Sequence, residues 1–363
     1  NQFAQRCESP REGTDLQGNP FPDSQGSSSD ENNWLRAWSH ELYLWYDEIA
    51  DVDPESLPTP EYFEQMKTFE RTESGNPKDK FHFSIPTDEW IALSQGGVLA
   101  GYGAEFKIIN GSPPRRVVVA YTEPNSPATS DAVNLIRGAE ILEIDGVDVI
   151  NSNDIDTLNN GLFPNLGETH SFLIRNNSES SSRSITMTAE EIASTPVQNL
   201  SFLETESGLV GYFTFNNHIA PAEELLVKAI EEIREQNIAD LVIDLRYNGG
   251  GFLAIASELA YMIAGDNAAG QIFEELEFND KHTEFNPVTG ERLLPKEFLT
   301  VTQGFSVPEG NPLPTLGLQR VFIISGAGTC SASESIINGL RGIDVDVILI
   351  GNTTCGKPFG FYA

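Results

Sequence analysis

Four apolar runs in the second half of the chain, "GLVGYFTFN", "ADLVIDLR", "RVFIIS" and "DVDVILIG", limit the fold more than any other feature of the sequence. They are dense in Val, Ile, Leu and Phe at neighbouring positions, the texture of strands covered on both faces. Helical patterns lie between them. Pro221 opens one that sets Leu225, Leu226, Ala229, Ile230 and Ile233 on one face, "LAIASELAYMI" is a second, and Ile336, Ile337 and Leu340 mark a third. Strands alternating with helices specify an α/β fold with a largely parallel sheet. Such a sheet binds its ligands at the carboxyl ends of the strands, so the residues just after each run are where chemistry is expected.

After "LVIDLR" come Tyr247, Asn248 and three glycines. Gly249, Gly250 and Gly251 permit a sharp turn and present bare N–H groups that can stabilise an oxyanion. A phosphate loop is disfavoured, because a Walker lysine and a full dinucleotide fingerprint are both missing. Asp244 and Arg246 are expected on opposite faces of the strand, each in a structural ion pair or cap. After "RVFIIS" the chain reads "GAGTCSASESIINGL", a strand, a turn and a helix. A serine at that turn lies at a helix N-terminus, where the dipole favours negative charge, and the Ala332 N–H is a further oxyanion donor. Neither GxSxG nor SxxK is present.

No histidine adjoins these serines. His40, His82, His170 and His282 fall in other segments; His218, near the end of the "GYFTFNNH" strand, is a minority candidate, with a structural or exposed role favoured. The alternative base is Lys357 in "GNTTCGKPFG", which follows the last strand. A lysine is a base only when neutral, so its pKa must fall from about 10.4 by roughly three, at a cost of about 4 kcal/mol. Burial among the surrounding Ile, Thr and Phe residues can supply that.

The first half has a different texture. Residues 1 to about 30 read as an extended arm. Trp34, Trp38, Leu42, Trp45 and Ile49 then fall on one helical face, and Thr59–Pro60 opens a second helix with Tyr62, Phe63, Met66 and Phe69. Both are read as the core of a small helical cap. From about 95 to 190 short strands and turns follow, among them "GYGAEF" and "SPA…RGAEILEIDG". That order resembles a circularly permuted PDZ domain of the bacterial protease type. The resemblance implies that Gly101, Tyr102, Gly103 and Ala104 bind a peptide's terminal carboxylate while the next strand adds the peptide to its edge.

A net charge of −32 makes nucleic acid and anionic membranes poor partners, and most of the acids are read as solvated. No run of about 18 apolar residues is present to span a membrane. The opening "NQFAQRCESP" lacks the basic and apolar start of a signal peptide, so any export signal is expected to have been removed or never to have been there. Cys7, Cys330 and Cys355 are too few for a disulfide scaffold and lack zinc spacing, and no metal or cofactor is expected.

Taken together, "GYFTFN…LVIDLRYNGGG", "GTCSASESIINGL" and "GNTTCGKPFG" resemble the C-terminal processing peptidases, or tail-specific proteases. The resemblance covers about 95 to the end. It implies a crotonase-like or ClpP-like core with a PDZ-like β domain and an N-terminal helical cap, divided as 1–90, 91–194 and 195–363. It also implies a Ser/Lys dyad. Matched from the glutamate backwards, Ser331 is the nucleophile, with Ser333 as runner-up, and Lys357 is the base. Gly250, Gly251 and Ala332 take the oxyanion roles. With the dyad assembled, Cys330 and Cys355 come close enough for a disulfide bracing it. The implied protein is an exported endopeptidase, periplasmic or secreted, acting on unfolded or tailed polypeptides. The sequence departs from the pattern at Pro358, where the family has glycine, and at Phe361, where some members carry a glutamine that orients the lysine. The aspartate used by others would fall near Gly342, with Asp344 and Asp346 close by. These departures motivate a rival reading, a catalytically silent peptide-binding scaffold. The family continues beyond the position of Ala363, so the sequence is expected to be part of a longer chain.

Overall fold

A computed structural model describes residues 2–14, 18–177 and 179–362. Positions 15–17 of the expected arm lie outside the described residues. The chain divides into two compact units, one of Asn1–Pro86, Glu274–Lys296 and Phe361–Ala363, the other of Thr87–Phe273 and Glu297–Gly360.

The first unit is built on a helix over Ser28–Leu42, whose entry is fixed by Ser27 and Asp30 capping each other's backbone. The aromatic stripe does not continue along one helix. Tyr43 leaves the helical region, with φ −62° and ψ 139°, and its hydroxyl donates to Asp79 Oδ2 at 2.7 Å. Trp45 and Ile49 therefore lie beyond the helix. The second helix is short, Thr59–Phe63, and the core is Ile49, Tyr62 and Met66 with Leu35, Tyr43, Val52 and Leu57 against them. Trp34 and Trp38 stack on each other at 5.3 Å. Phe69 is 66 % exposed, so it belongs to no core.

The second unit holds two separate hydrophobic cores. The first is a β module. Strands β1 (Val98–Gly101), β2 (Ala104–Asn110), β3 (Arg116–Thr122), β4 (Glu140–Ile144), β5 (Val147–Asp148), helix α1 (Ile155–Leu162), β6 (Thr169–Arg175), β7 (Arg183–Thr188) and β8 (Glu190–Ala193) follow in order. The main sheet runs β2-β3-β4-β6-β7, with β5 hairpinned to β4 through Asp145–Gly146 and β1 paired only with β8. Both turn residues have positive φ, 49° and 77°, the geometry of a two-residue hairpin turn. Val117, Val119, Ile141, Ile144, Phe172 and Ile174 fill the core. Strand β2 is an edge of this sheet.

The second core is the expected α/β layer. Strands β9 (Val197–Thr205), β10 (Gly208–Phe215), β11 (Asp240–Asp244), β12 (Arg320–Ser325) and β13 (Asp346–Gly351) lie side by side in that order. Strand β9 is antiparallel to β10, and the other pairs are parallel. Helices α2 (Ala222–Glu235), α3 (Leu253–Ala264) and α4 (Ala332–Gly342) share one buried cluster with the sheet, including Phe213, Leu226, Ile230, Ile243, Leu259, Ile323 and Ile336. The carboxyl ends of β10, β11, β12 and β13 thus fall on one edge, and each leads into a segment singled out above.

One expectation about β11 is corrected. The strand stops at Asp244, and Arg246 lies in the turn beyond it. The guanidinium folds back onto Asp244, with Nε 2.9 Å from Oδ1 and Nη2 2.5 Å from Oδ2, so the two do not project from opposite faces. Burial raises the Asp244 pKa, but the Arg246 hydrogen bonds outweigh it and hold the carboxyl below its ordinary range.

Candidate active site

The serine turn links β12 to α4. Ser331 stands just before the helix with φ 56° and ψ −118°, an unusual conformation for a residue with a side chain. Its hydroxyl-bearing neighbour Ser333 is fully buried and donates to the Asn248 carbonyl at 3.0 Å. Ser331 is only partly buried, so the structure separates the two serines: one is a packing element, the other faces the surface of the turn.

The segment after β13 is held against this turn. Cys330 and Cys355 form a disulfide with Cα atoms 5.2 Å apart, inside the range such bridges require. The Cys355 N–H donates to the Thr329 carbonyl at 3.0 Å. Glu334, in the first turn of α4, completes the attachment. Its Oε1 accepts from Thr354 Oγ1 at 2.6 Å and from the Gly356 N–H at 2.8 Å. Its Oε2 accepts from the Ser331 N–H and the Lys357 N–H, each at 2.9 Å. Burial raises the pKa of this carboxyl, yet the bonds from Thr354, Lys357, Gly356 and Ser331 more than offset that, and it lies below its ordinary range. Glu334 is therefore an anion at neutral pH and can only accept, which is what four converging donors require.

The donors for a developing negative charge follow from peptide planarity. In a trans peptide the C=O and the next N–H point in opposite directions. The Gly250 carbonyl accepts from the His218 N–H at 3.1 Å, so the Gly251 N–H faces away from that strand end. The Ser331 carbonyl accepts from Glu334 and Ser335 N–H groups inside the helix, so the Ala332 N–H points out of the helix N-terminus. Neither Gly251 nor Ala332 donates to another group among the described residues. The Gly250 N–H is different, because it donates to Asn248 Oδ1 at 3.0 Å. Of the three expected donors, two remain open. Gly250 is needed here for space: with φ +100°, an added Cβ would lie 2.8 Å from Ser331 Cβ and 2.9 Å from the Cys330 carbonyl oxygen.

The Gly101–Ala104 loop of the β module obeys the same logic. The Tyr102 carbonyl accepts from Ala128 at 2.9 Å and the Gly103 carbonyl from Glu123 at 2.7 Å, so the N–H groups of Gly103 and Ala104 point the other way. Gly103 has φ +72°, and a Cβ there would run into Ser126 at 2.2 Å. Tyr102 is buried and anchors the loop through its hydroxyl to the Gly161 carbonyl at 3.2 Å. Between β2 and α1, a cavity of about 100 Å³ is lined by Ile108, Val117, Val149, Ile155, Leu158 and Leu162 among others. The module joins the α/β layer through Glu123, which accepts from the Thr195 N–H at 2.9 Å and Gln198 Nε2 at 3.0 Å.

Three groups of sequence candidates lie elsewhere. Gly342 ends α4, and Asp344 and Asp346 precede or begin β13, whose first residue pairs with Arg320. That is the amino end of the parallel strands, opposite the serine turn, so none of the three is available to orient Lys357. Phe361 packs edge-on against Phe83 at 5.6 Å. His82 stacks on Phe63, His170 pairs with Asp145 and His282 with Glu41. His218 is fully buried beside the glycine loop. Sequence reasoning used Glu334 only as an alignment marker and did not single out Asn248. The capping-box spacing Ser331…Glu334 was the available signal for the former.

Residues 208–360 match the model of peptidase family S41. The chain is similar in sequence to the carboxyl-terminal-processing proteases. A carboxyl-terminal-processing protease of Picosynechococcus is 30 % identical over 172 residues, 47 % of this chain and 40 % of that protein. The chloroplastic C-terminal processing peptidase of Tetradesmus obliquus is 24 % identical over 295 residues, 77 % of this chain and 56 % of the relative. The chain thus spans about half the length of the curated relatives it matches. An S41 protease structure from Bacteroides fragilis shares the fold, with a TM-score of 0.59 at 20 % identity, covering 89 % of this chain and 79 % of that one. The S41 match begins at the first residue of β10 and contains the glycine loop, the serine turn and the Lys357 segment. No helix among the described residues is long and apolar enough to cross a membrane.

Proposed function

We propose that this protein is a serine endopeptidase of the C-terminal processing type, working by a Ser331/Lys357 dyad. The observation that carries the reading is the double acceptance by Glu334 Oε2, which keeps the serine turn and the lysine segment side by side. Ser331 Oγ attacks the scissile carbonyl carbon while the neutral Lys357 amine removes its proton. The same proton passes to the departing amine as the C–N bond breaks. Water then opens the acyl-enzyme with Lys357 again as base. The Gly251 and Ala332 N–H groups receive the oxyanion, at the N-terminus of α4 where the helix dipole favours it.

In this reading residues 195–363 form the protease core, of crotonase-like or ClpP-like kind, and 91–194 the PDZ-like module, with 1–90 preceding them. The module's Gly103 and Ala104 N–H groups hold a substrate's terminal carboxylate, and the free edge of β2 takes its last residues as an added strand. Substrates are unfolded or tailed polypeptides, met in a periplasmic or extracellular compartment that keeps Cys330 and Cys355 oxidised. The test is cleavage of a denatured protein. Ser331→Ala and Lys357→Ala each abolish it while leaving the thermal transition in place. Tight peptide binding without any cleavage by the wild-type protein would favour the silent scaffold instead.

A further inference from the structure

Asn248 is hydrogen-bonded through both its side chain and its carbonyl beside the serine turn, and the dyad mechanism leaves it without a task. It is fully buried. Its Oδ1 accepts from the Gly250 N–H at 3.0 Å and meets His218 Nδ1 at 2.9 Å. Its Nδ2 donates to the Phe215 carbonyl at 3.0 Å. Its own carbonyl accepts from the Cys330 N–H at 3.1 Å and from Ser333 Oγ at 3.0 Å. The side chain thus ties the end of β10 to the glycine loop, and the backbone carbonyl of the same residue holds the serine turn.

The orientation of that amide is not free. A backbone N–H can only donate and a backbone carbonyl can only accept, so Gly250 demands the oxygen and Phe215 demands the nitrogen. With the oxygen facing His218, Nδ1 of the imidazole must carry the proton. Nε2 is then an unprotonated acceptor, buried and without a hydrogen-bond partner among the described residues. Burial opposes a second proton and lowers the His218 pKa to about 4, against smaller opposing effects from Asn248 and Gly250. The ring is neutral wherever a lysine can be a base, and it lies against Phe215 at 4.4 Å.

We infer that Asn248, held in one orientation by the Gly250 N–H and the Phe215 carbonyl and braced by neutral His218, is the positioning residue that decides which glycine N–H is offered to the oxyanion. By engaging the Gly250 N–H it turns that peptide inward, and the Gly251 N–H is left facing outward. The same residue sets the height of the serine turn through Cys330 and Ser333, so the oxyanion donors and the nucleophile move as one body. The inference rests on the peptidase reading above.

The experiment compares Asn248→Ala, Asn248→Asp and His218→Phe in the full chain, with steady-state cleavage of a peptide over a range of pH and thermal unfolding in parallel. Misplacing an oxyanion donor lowers kcat by about 100-fold, so Asn248→Ala loses about that factor with KM within about twofold. His218→Phe keeps the ring packing, removes the donor to Oδ1 and lowers kcat by about tenfold without a matching loss of fold. Asn248→Asp sets a carboxylate beside the imidazole and raises its pKa. A new ionisation then enters the kcat profile and disappears in Asn248→Asp combined with His218→Phe. A purely structural role would not produce that ionisation. The inference is overturned if Asn248→Ala and His218→Phe keep kcat within twofold, if their losses track unfolding, or if Asn248→Asp leaves the pH profile unchanged. If Ser331→Ala cleaves as fast as the wild type, the peptidase reading itself has failed, and the inference with it.

Discussion

The backbone N–H groups of Ser331 and Lys357 donate to one and the same oxygen, Glu334 Oε2, each at 2.9 Å. Two residues 26 positions apart are thereby referenced to a single atom. A carboxylate suits this position because it offers only acceptors, and Thr354 and Gly356 occupy its other oxygen.

Replacing that anion with an amide of the same shape tests the arrangement. In Glu334→Gln one end of the side chain becomes a donor, and whichever way the amide turns it faces at least one N–H group, those of Ser331 and Lys357 or that of Gly356. The unmade hydrogen bonds cost about 1–3 kcal/mol of stability. The Lys357 segment loses its reference to Ser331, and kcat falls by about 100-fold as the dyad loosens. Thermal unfolding and peptide cleavage on the same sample separate the two effects. Unchanged kcat would remove Glu334 from the account.

The disulfide makes a second connection between the same segments. In protein purified without reductant, a non-reducing digest yields a peptide joining Cys330 to Cys355. Replacing both by serine costs about 3 kcal/mol for a loop of this length. Free thiols at both positions would contradict the structure.

Gly249 and Gly250 make a matched pair. A Cβ at Gly249 meets nothing within 4 Å, whereas at Gly250 it strikes Ser331, Cys330 and Ala332 at a φ of +100°. Gly249→Ala is expected to retain activity within a few-fold. Gly250→Ala loses it by about 100-fold or more, because the serine turn is pushed from its donors. Equal activities in the two variants would place the glycine loop away from the chemistry.

A buried pair of acids sets a pH dependence. Glu223 and Glu258 are both fully buried, and both accept from the Gln303 N–H, at 2.7 and 3.0 Å. Burial raises the Glu258 pKa to about 8, with Glu223 adding to the rise. A carboxyl group held protonated in the fold but ionised in the unfolded chain binds more protons when native. Its contribution is present in full below the unfolded pKa of about 4.3 and is lost as pH climbs to about 8. Glu258→Gln, which cannot ionise, is therefore expected to gain stability relative to the wild type between pH 5 and pH 9. Denaturant unfolding at three pH values reads this directly. A constant difference across the range would mean that Glu258 does not titrate in that window.

The parallel sheet was legible because its strands are buried on both faces, and Val, Ile and Leu at successive positions leave few other folds. The segments that carry Ser331 and Lys357 could be placed at the carboxyl edge of that sheet because each follows such a strand within a few residues. The helix stripe in the first unit was overread: spacing put Trp45 and Ile49 with Trp34, but the helix ends at Leu42, and Tyr43 makes a tertiary contact with Asp79 that no periodicity encodes. The acids were read mostly as solvated, since charge along a sequence carries no record of burial. Glu223, Glu258, Asp240 and Asp244 are buried, each held by partners distant in sequence or, for Asp244, by an arginine two residues on. Asn248 was not singled out, because its hydrogen bonds join strand and loop ends that only the fold brings together.

The most direct measurement of the dyad is labelling of the intact protein with a serine-reactive phosphonofluoridate, followed by peptide mapping and a rate profile against pH. The expected result is a single label on Ser331, with a rate that rises through one ionisation and loses that ionisation in Lys357→Met. Label on Ser333, no label at all, or an unchanged profile in Lys357→Met would contradict it.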